Sequence, residues 1–326
     1  MCRYTAIVVA CVMAWGGLAL AAEGPRVEAV QGLYEGVRQD DAKHKLEARV
    51  VATGRGTYKL LIREAADDGK TEKVELAGKT QDDAISFSGK KGEVAWTGTW
   101  AEGTVKGLCG ASGMFELKRI VKESPTLGAK PPQGATVLLD GKNFDEMTLR
   151  PLPGGAEQEW KKTEEGAIQV PRGGMNSKRT FAGNVKIHVE FKLPLMPEAS
   201  DQGRANSGVY LPNGEEIQVL DSFGMTTYQG GGCGGLYRWK DPDVFDQFSL
   251  ASLPPLQWQT YDIEYRVTMQ DGKPTGKPHV TVWHNGIKIH DNVELRNNAR
   301  AGVFNFQDHG NAVQYRNIWV APLDGK

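Results

Sequence analysis

Short runs of alternating apolar and polar residues, separated by tight turns, are the feature that most constrains the fold of this chain. Residues 46–52 alternate in this way, and Thr53-Gly54-Arg55-Gly56 then supplies a turn before the next run begins. A period of two places successive side chains on opposite faces of a strand. No segment after residue 22 sustains the 3.6-residue period of a helix. We therefore predict an all-β protein.

The first part of the chain contains seven such runs, with Gly, Asp or Lys in the gaps. They cover residues 46–52, 57–63, 73–76, 84–88, 93–100, 104–108 and 114–120. Closely spaced short strands are typical of a small antiparallel barrel or sandwich. We predict such a domain over residues 27–122. Because it carries no catalytic pattern, we interpret it as an accessory or packing module.

Residues 123–134 contain three prolines and interrupt this pattern, which indicates a semi-rigid extended linker and a domain boundary. Beyond it, residues 135–323 form longer runs that are richer in aromatic residues. Residues 185–195 alternate well, and His284-Asn285-Gly286 is a hairpin turn signal. About a dozen strands over about 190 residues favour two stacked antiparallel sheets.

The first 22 residues indicate export to the periplasm or beyond. Arg3 precedes an apolar stretch over residues 5–20, and Ala19-Leu20-Ala21 has the small-x-small form of a cleavage site. A retained membrane anchor is the alternative. Cleavage would remove two of the four cysteines and leave Cys109 and Cys233. These two are compatible with either a disulfide or two free thiols.

The charge balance excludes some partner classes. Lys and Arg number 39 and Asp and Glu number 40, which leaves a net charge of -1. Nucleic-acid binding leaves a basic footprint that this chain lacks. We expect no nucleic acid and, after signal cleavage, no membrane as a partner. No Cys/His spacing typical of zinc is present.

The most informative segment is residues 206–222, which predicts a hairpin around Pro212-Asn213-Gly214. Alternation in its second strand places Glu216 and Gln218 on one face. Asp221 would join them through a β-bulge near Leu220. We therefore predict that Glu216, Gln218 and Asp221 lie side by side on one face of this strand.

A second polar face is predicted over residues 303–310. There Asn305, Gln307 and His309 alternate with phenylalanines, and Arg316 on the following run supplies a cation. An imidazole titrates near neutrality, which suits acid–base catalysis. We predict His309 as the functional histidine. Four of the other five histidines are interpreted as structural residues on exposed faces or turns, namely His188, His279, His284 and His290.

The two faces belong to an ordered series of motifs. They are Leu138-Leu139-Asp140-Gly141, Asn206-Ser207-Gly208-Val209-Tyr210, Glu216-Ile217-Gln218-Val219-Leu220-Asp221-Ser222, Trp258-Gln259-Thr260-Tyr261-Asp262, Val282-Trp283-His284-Asn285-Gly286, Gln307-Asp308-His309-Gly310 and Arg316-Asn317-Ile318-Trp319. Together they resemble the 3-keto-disaccharide hydrolase domain family over about residues 135–323. The resemblance implies a concanavalin A-like two-sheet jelly-roll sandwich.

Residues 216–221 are also similar to the bulged catalytic strand of laminarinase-type β-glycanases, which carries three carboxylates. Here Gln218 replaces the middle carboxylate, and Asp221 replaces a terminal glutamate. These departures argue against ordinary retaining hydrolysis.

The family resemblance implies cleavage of glycosides whose sugar is oxidised at C3. A base removes the acidified C2 proton, and the enolate expels the C1 substituent. Glu216 or His309 would be the base, with Asp221 near the leaving group. Polar contacts to the sugar or the oxyanion would come from Asn206, Gln218, Gln307 and Arg316, and stacking surfaces from Tyr210, Tyr237 and Trp239.

Three further points stay open at this level. A divalent metal held by Glu216, Asp221 and His309 is neither required nor excluded. The oxidised substrate implies a functional link to a sugar 3-oxidoreductase. The alternatives to this enzyme are a non-catalytic, lectin-like carbohydrate-binding module and a hydrolase of unoxidised glucan.

Overall fold

Two β-domains follow each other in the computed structural model, which describes residues 24–39, 43–65, 71–244 and 251–323. The predicted signal segment, residues 1–22, lies outside the described residues. Within these ranges no helix is both long and apolar enough to cross a membrane. The all-β prediction is confirmed.

The N-terminal domain is a closed barrel in which each strand pairs with the next and β1 with β8. The short helix α1, Val27–Val30, precedes it. The strands are β1 Gly32–Gln39, β2 Lys43–Gly54, β3 Thr57–Ala65, β4 Thr71–Gln81, β5 Ala84–Lys91, β6 Val94–Ala101, β7 Thr104–Cys109 and β8 Gly113–Ile120. Sequence reasoning missed β1, because glycine and charged residues interrupt its alternation. That strand closes the barrel by pairing with both β2 and β8.

The C-terminal domain is a sandwich of two sheets. Its strands are β9 Thr136–Leu139, β10 Met147–Leu149, β11 Lys161–Lys162, β12 Ile168–Gln169, β13 Met175–Ser177, β14 Val185–Lys192, β15 Ser207–Tyr210, β16 Glu216–Val219, β17 Trp258–Gln270, β18 Lys273–His284, β19 Ile287–Glu294, β20 Asn305–Phe306 and β21 Gln314–Pro322. Two 3-10 helices, Pro153–Gly155 and Asp201–Gly203, lie in its loops.

The two sheets differ in size and pairing. The smaller sheet has the order β10-β13-β20-β15-β16, and the larger has β11-β12-β21-β14-β17-β18-β19 with β9 also paired to β21. Apolar residues such as Val209, Ile217, Phe191 and Ile263 fill the space between them. Burial of these side chains stabilises the sandwich and turns the alternate residues of the smaller sheet outward.

The segment predicted as an extended linker is instead packed on the larger sheet. Ser124 and Thr126 hydrogen-bond Thr260 at 2.6 and 2.9 Å. The amide of Gly128 donates to Glu190 at 2.6 Å. We call residues 124–129 the strap. The prediction of a semi-rigid extended spacer is corrected, because these polar groups find partners on the sheet that local sequence does not reveal.

The prediction for three of the histidines is also corrected. His188, His284 and His290 are fully buried rather than on exposed faces or turns. His284 pairs with Gln259 at 2.9 Å, and His290 lies 2.7 Å from the carbonyl of Gly234. Burial lowers the pKa of His284 to about 3 and that of His290 to about 4. Both therefore stay neutral and act as structural hydrogen-bonding groups, as their predicted role requires.

The cysteines and the glycine-rich loop are also placed. Cys109 and Cys233 are both free thiols. The loop that contains residues 230–235 is tightly folded, and its glycines are buried. The amide of Gly230 donates to Asp241 at 2.7 Å, and that of Gly234 to the Gln218 carbonyl at 2.8 Å.

Candidate active site

A row of polar side chains crosses the outer face of the smaller sheet. Asn176 is directly opposite Asn305, Asn305 is opposite Tyr210, and Tyr210 is opposite Glu216. The amide of Tyr237 donates to the Glu216 carbonyl at 3.1 Å, which extends the row past the sheet edge. Because directly opposed residues share a face, these five side chains line one surface. We call this surface the groove.

Glu216 is the buried carboxyl of the groove. It is 7% exposed, and its side chain crosses over Gly208, where an added Cβ would lie 2.8 Å from its Cδ. A glycine is therefore needed beneath it. Burial raises the pKa of Glu216 to about 7, although an interaction with the Tyr210 hydroxyl lowers it in part. A carboxyl that titrates near neutrality can act as a base or an acid.

A second row lies beside the first. The backbone N–H of Gln307 donates to the carbonyl of Gly208, and Gly208 is opposite Gln218. The Gln218 side chain donates to Gln202 at 2.9 Å, and Asn206 donates to the same residue. Gln218 and Asn206 are therefore held by Gln202 and are almost fully buried.

Two amide oxygens in this row have no partner. Asn206 Oδ1 and Gln307 Oε1 are buried and accept no hydrogen bond from any described residue. Leaving a buried acceptor unpaired costs about 1–3 kcal/mol, so such an atom is commonly paired by water or a ligand. Both oxygens can accept hydroxyl donors, which sugars offer in number.

Aromatic residues border Glu216 on its other side. Tyr237 is half-buried, and its hydroxyl accepts a hydrogen bond from Tyr228 at 2.9 Å, so its own proton remains free to donate. Trp239 is partly buried against the core, with Arg296 5.2 Å from its ring. Tyr237 therefore lies beside Glu216, whereas Trp239 mainly supports the loop.

Asp221 is not brought into the groove. It forms a buried ion pair with Arg204 at 2.7 Å, and its other oxygen accepts the Phe223 amide at 3.2 Å. Burial raises the pKa of Asp221 even though Arg204 lowers it. The predicted pairing with Glu216 is corrected, because the buried guanidinium of Arg204 takes up this carboxylate.

Arg316 is also misplaced by the sequence prediction. It belongs to β21 of the larger sheet, where it pairs with Glu190 at 2.7 Å and stacks 4.0 Å from the Trp258 ring. The prediction assumed that the run after residue 310 returns along the same sheet. The chain instead crosses to the other sheet, so Arg316 faces the strap and not the groove.

His309 lies in the loop after β20 and is exposed. It makes no hydrogen bond or ion pair with any residue in the described ranges. Nor do any three His, Cys, Asp or Glu side chains in those ranges lie close enough to hold a metal ion. The metal set Glu216, Asp221 and His309 does not fit, because Asp221 is committed to Arg204.

Sequence reasoning missed three other residues of the surface. Arg150, Asn176 and Arg300 line a cavity of about 500 Å³ that continues the groove beyond Tyr210. Asn305 lines it too, and its alternation with two phenylalanines predicts its place on a polar face. Arg150 and Asn176 carried none, because β10 and β13 are only three residues long.

Comparisons with known proteins bear on this site. No curated protein matches the chain. A solved structure from Parabacteroides distasonis, described as a candidate glycosyl hydrolase, is 30% identical and has a TM-score of 0.49, covering 59% of this chain and 85% of that one. The family model described as "3-keto-alpha-glucoside-1,2-lyase-like domain" matches residues 134–321. Its description supports a carbohydrate-active, hydrolase-like function, and its match shows that this chain belongs to the family of 3-keto-alpha-glucoside-1,2-lyase-like domains.

Proposed function

We propose that this protein cleaves the glycosidic bond of sugars oxidised at C3, with Glu216 as the base. The observation that carries the proposal is a buried carboxyl with a pKa of about 7 in the row of polar side chains that lines the groove. Such a group is ionised in part at neutral pH and is basic enough to remove a carbon-bound proton made acidic by a neighbouring ketone.

The proposed reaction proceeds in three steps. The Glu216 carboxylate takes the C2 proton, and the C2–H electron pair forms the C2–C3 double bond as the ketone becomes an enolate. The enolate then re-forms the ketone and shifts the double bond to C1–C2, while the C1–O bond breaks and its electron pair leaves with the aglycone oxygen. A protein O–H protonates that oxygen, and water adds across the new double bond to give the free keto sugar.

The neighbouring groups have matching roles in this proposal. The Tyr237 hydroxyl, whose proton is not engaged by Tyr228, would protonate the leaving oxygen. The unpaired oxygens of Asn206 and Gln307 would accept sugar hydroxyls. The side-chain Nε2 of Gln307 donates to the Tyr210 hydroxyl at 3.2 Å and would help to hold that phenol against Glu216. Interactions that strengthen as the enolate forms lower the barrier.

The proposal is tested by incubating the protein with 3-keto-trehalose and with trehalose, with and without chelator. We expect glucose release from the keto sugar alone. Glu216→Gln should lower kcat by about 10²–10⁴-fold, the range for a lost general base. Glu264→Gln is the matched control, since Glu264 pairs with Arg266 on the larger sheet.

Two outcomes would contradict this function. Equal cleavage of trehalose would indicate an ordinary glycosidase. Tight binding of either sugar without turnover would indicate a lectin-like carbohydrate-binding module. Chelator sensitivity would show that a metal takes part, with ligands other than the Glu216, Asp221 and His309 set.

Export and substrate supply belong to the same proposal. The chain would act outside the cytoplasm, downstream of a reaction class that oxidises a sugar hydroxyl at C3. N-terminal sequencing of the protein from a periplasmic or culture fraction should begin just after Ala19-Leu20-Ala21. Recovery of the intact N-terminus in the membrane fraction would favour the retained anchor.

A further inference from the structure

Two arginines share the wall of the cavity that continues the groove beyond Tyr210. This cavity of about 500 Å³ is within the size range of small-molecule sites. Arg150 and Arg300 line it, together with Asn176, Tyr210 and Asn305. Among the residues that the structure describes, no carboxylate side chain lines it. The cavity wall is therefore cationic and rich in hydrogen-bond donors.

Arg300 is held in place by the β15–β16 hairpin. Its Nε donates to the Pro212 carbonyl at 3.4 Å. A Cβ added to Gly214, which has a φ of +85°, would lie only 2.7 Å from Arg300 Nη2. The glycine thus makes room for the guanidinium. The remaining N–H groups of Arg300 have no acceptor within the described part of the chain.

Arg150 lies on the same wall without a side-chain partner in the described ranges. Its positive charge reaches the Tyr210 hydroxyl and lowers the pKa of that phenol in part, although burial and Glu216 raise it overall. Arg150 is therefore close enough to interact electrostatically with Tyr210, which lies between this cavity and Glu216.

The neighbouring carboxylate, Glu215, is not among the described residues that line this cavity. Glu215 is buried, and its Oε1 accepts the amide of Asn297 at 2.5 Å. A second cavity shares Arg300 and Gly214 with the first and adds Arg296, and no carboxylate side chain of the described ranges lines it either. Exposed arginines are ordinarily just solvated. Arg150 and Arg300 differ from such residues because they line one cavity, and that cavity continues the groove that contains the buried Glu216.

We propose that the cavity is an anion subsite and that the natural glycoside carries a carboxylate or sulfate group on the part that lies beyond Tyr210. A guanidinium binds such oxyanions through paired N–H donors, and two guanidinium groups facing one cavity would favour an acidic over a neutral sugar. This inference rests on the proposed function in one respect only, namely that the groove binds a glycoside.

The test is a calorimetric titration with three unoxidised probes that share one scaffold. They are trehalose, trehalose with one C6 oxidised to a carboxylate, and trehalose 6-sulfate. We expect the acidic probes to bind at least about tenfold more tightly than trehalose, with a preference that weakens as salt is added. The better of the two acidic probes identifies which oxyanion the subsite takes.

Variants decide whether the arginines cause this preference. Arg150→Gln and Arg300→Gln should each remove most of the preference for the acidic probe, measured as the ratio of its affinity to that of trehalose for the same variant. Arg172→Gln, which loses the same charge from an exposed position outside both cavities, should keep it. Equal affinity for all three probes would overturn the subsite, and so would a preference that survives both cavity substitutions.

The outcome is separable from that of the proposed function. Binding of unoxidised acidic probes requires no chemistry, so the subsite stands if the preference is found and no keto sugar is cleaved. Cleavage of neutral 3-keto-trehalose with no acidic preference would support the proposed function and overturn the subsite alone.

Discussion

At the scale of single residues, the burial of Glu216 affects both its pKa and the stability of the folded protein. Its folded-state pKa of about 7 lies above the ordinary value of 4.5. The folded protein therefore holds a proton that the unfolded chain has released, and the free energy of unfolding falls as pH rises from about 4.5 to about 7. The difference amounts to up to about 3 kcal/mol.

We accordingly expect Glu216→Gln to flatten this slope. Thermal melts of wild type and variant between pH 4 and pH 8 should converge at low pH, and the variant should be the more stable at pH 8. Parallel curves across that range would show that the carboxyl is not desolvated as the structure has it.

Gly208 supplies a second prediction at this scale. Gly208→Ala places a methyl where the Glu216 side chain now passes, 3.0 Å from its Cγ. We expect the displaced carboxyl to lower kcat/KM for 3-keto-trehalose about ten- to a hundredfold, because small misplacements of a catalytic group are costly. Gly183→Ala, where an added Cβ meets nothing within 4 Å, should leave it unchanged.

At the scale of elements, the strap is held by a buried charged cluster. His188 lies between Asp262 at 3.0 Å and Glu190 at 3.5 Å, and its ring stacks 5.2 Å from Trp319. Thr126 donates to Asp262 at 2.7 Å. The cluster binds the strap to the larger sheet, with Lys186, Thr260, Arg316 and Asn317 as the other polar groups facing it.

Burial alone would lower the pKa of His188, but the two carboxylates raise it above 6.5. Its contribution to stability is therefore present below pH 6.5 and is lost as pH rises through the raised value. The pKa of Glu190 is lowered to about 2 against burial by its hydrogen bonds to His188, Asn317 and Arg316, so its contribution is lost only in strong acid.

We expect His188→Gln to lower the free energy of unfolding by about 3 kcal/mol at pH 6, because two buried carboxylates lose a cation. The deficit should shrink as pH rises through the raised pKa of His188, because the wild-type imidazole loses its charge there. Chemical denaturation at several pH values measures this difference. A deficit that is the same at every pH would show that His188 contributes packing and not charge.

At the scale of the whole molecule, the barrel and the sandwich share an apolar contact. Leu33, Val51 and Leu61 of the barrel pack with Phe223 and Leu253 of the sandwich. The Arg49 guanidinium lies 5.2 Å from the Phe223 ring. The Arg204 that binds Asp221 also reaches the Ala52 carbonyl at 3.5 Å. The two domains are therefore joined next to the segment that follows Glu216.

Phe223→Ala should weaken that contact by about 3–5 kcal/mol, the usual cost of removing a buried phenylalanine. Scanning calorimetry should then show two transitions where the wild type shows one. Met269→Ala removes an exposed apolar side chain from the sandwich and should keep a single transition. Two transitions already present in the wild type would show that the domains unfold independently.

Local sequence determined the longer strands other than β1, the two-sheet sandwich and the placement of Glu216 and Gln218 on one face, since alternation is a property of neighbours along the chain. The order of its motifs also identified the family. Only the tertiary structure decided which partners the polar residues take. Asp221 pairs with Arg204, and Arg316 pairs with Glu190 in the larger sheet. Arg150 and Arg300 line one cavity. Those outcomes depend on strand pairings and ion pairs between distant residues, whose energies no local pattern encodes.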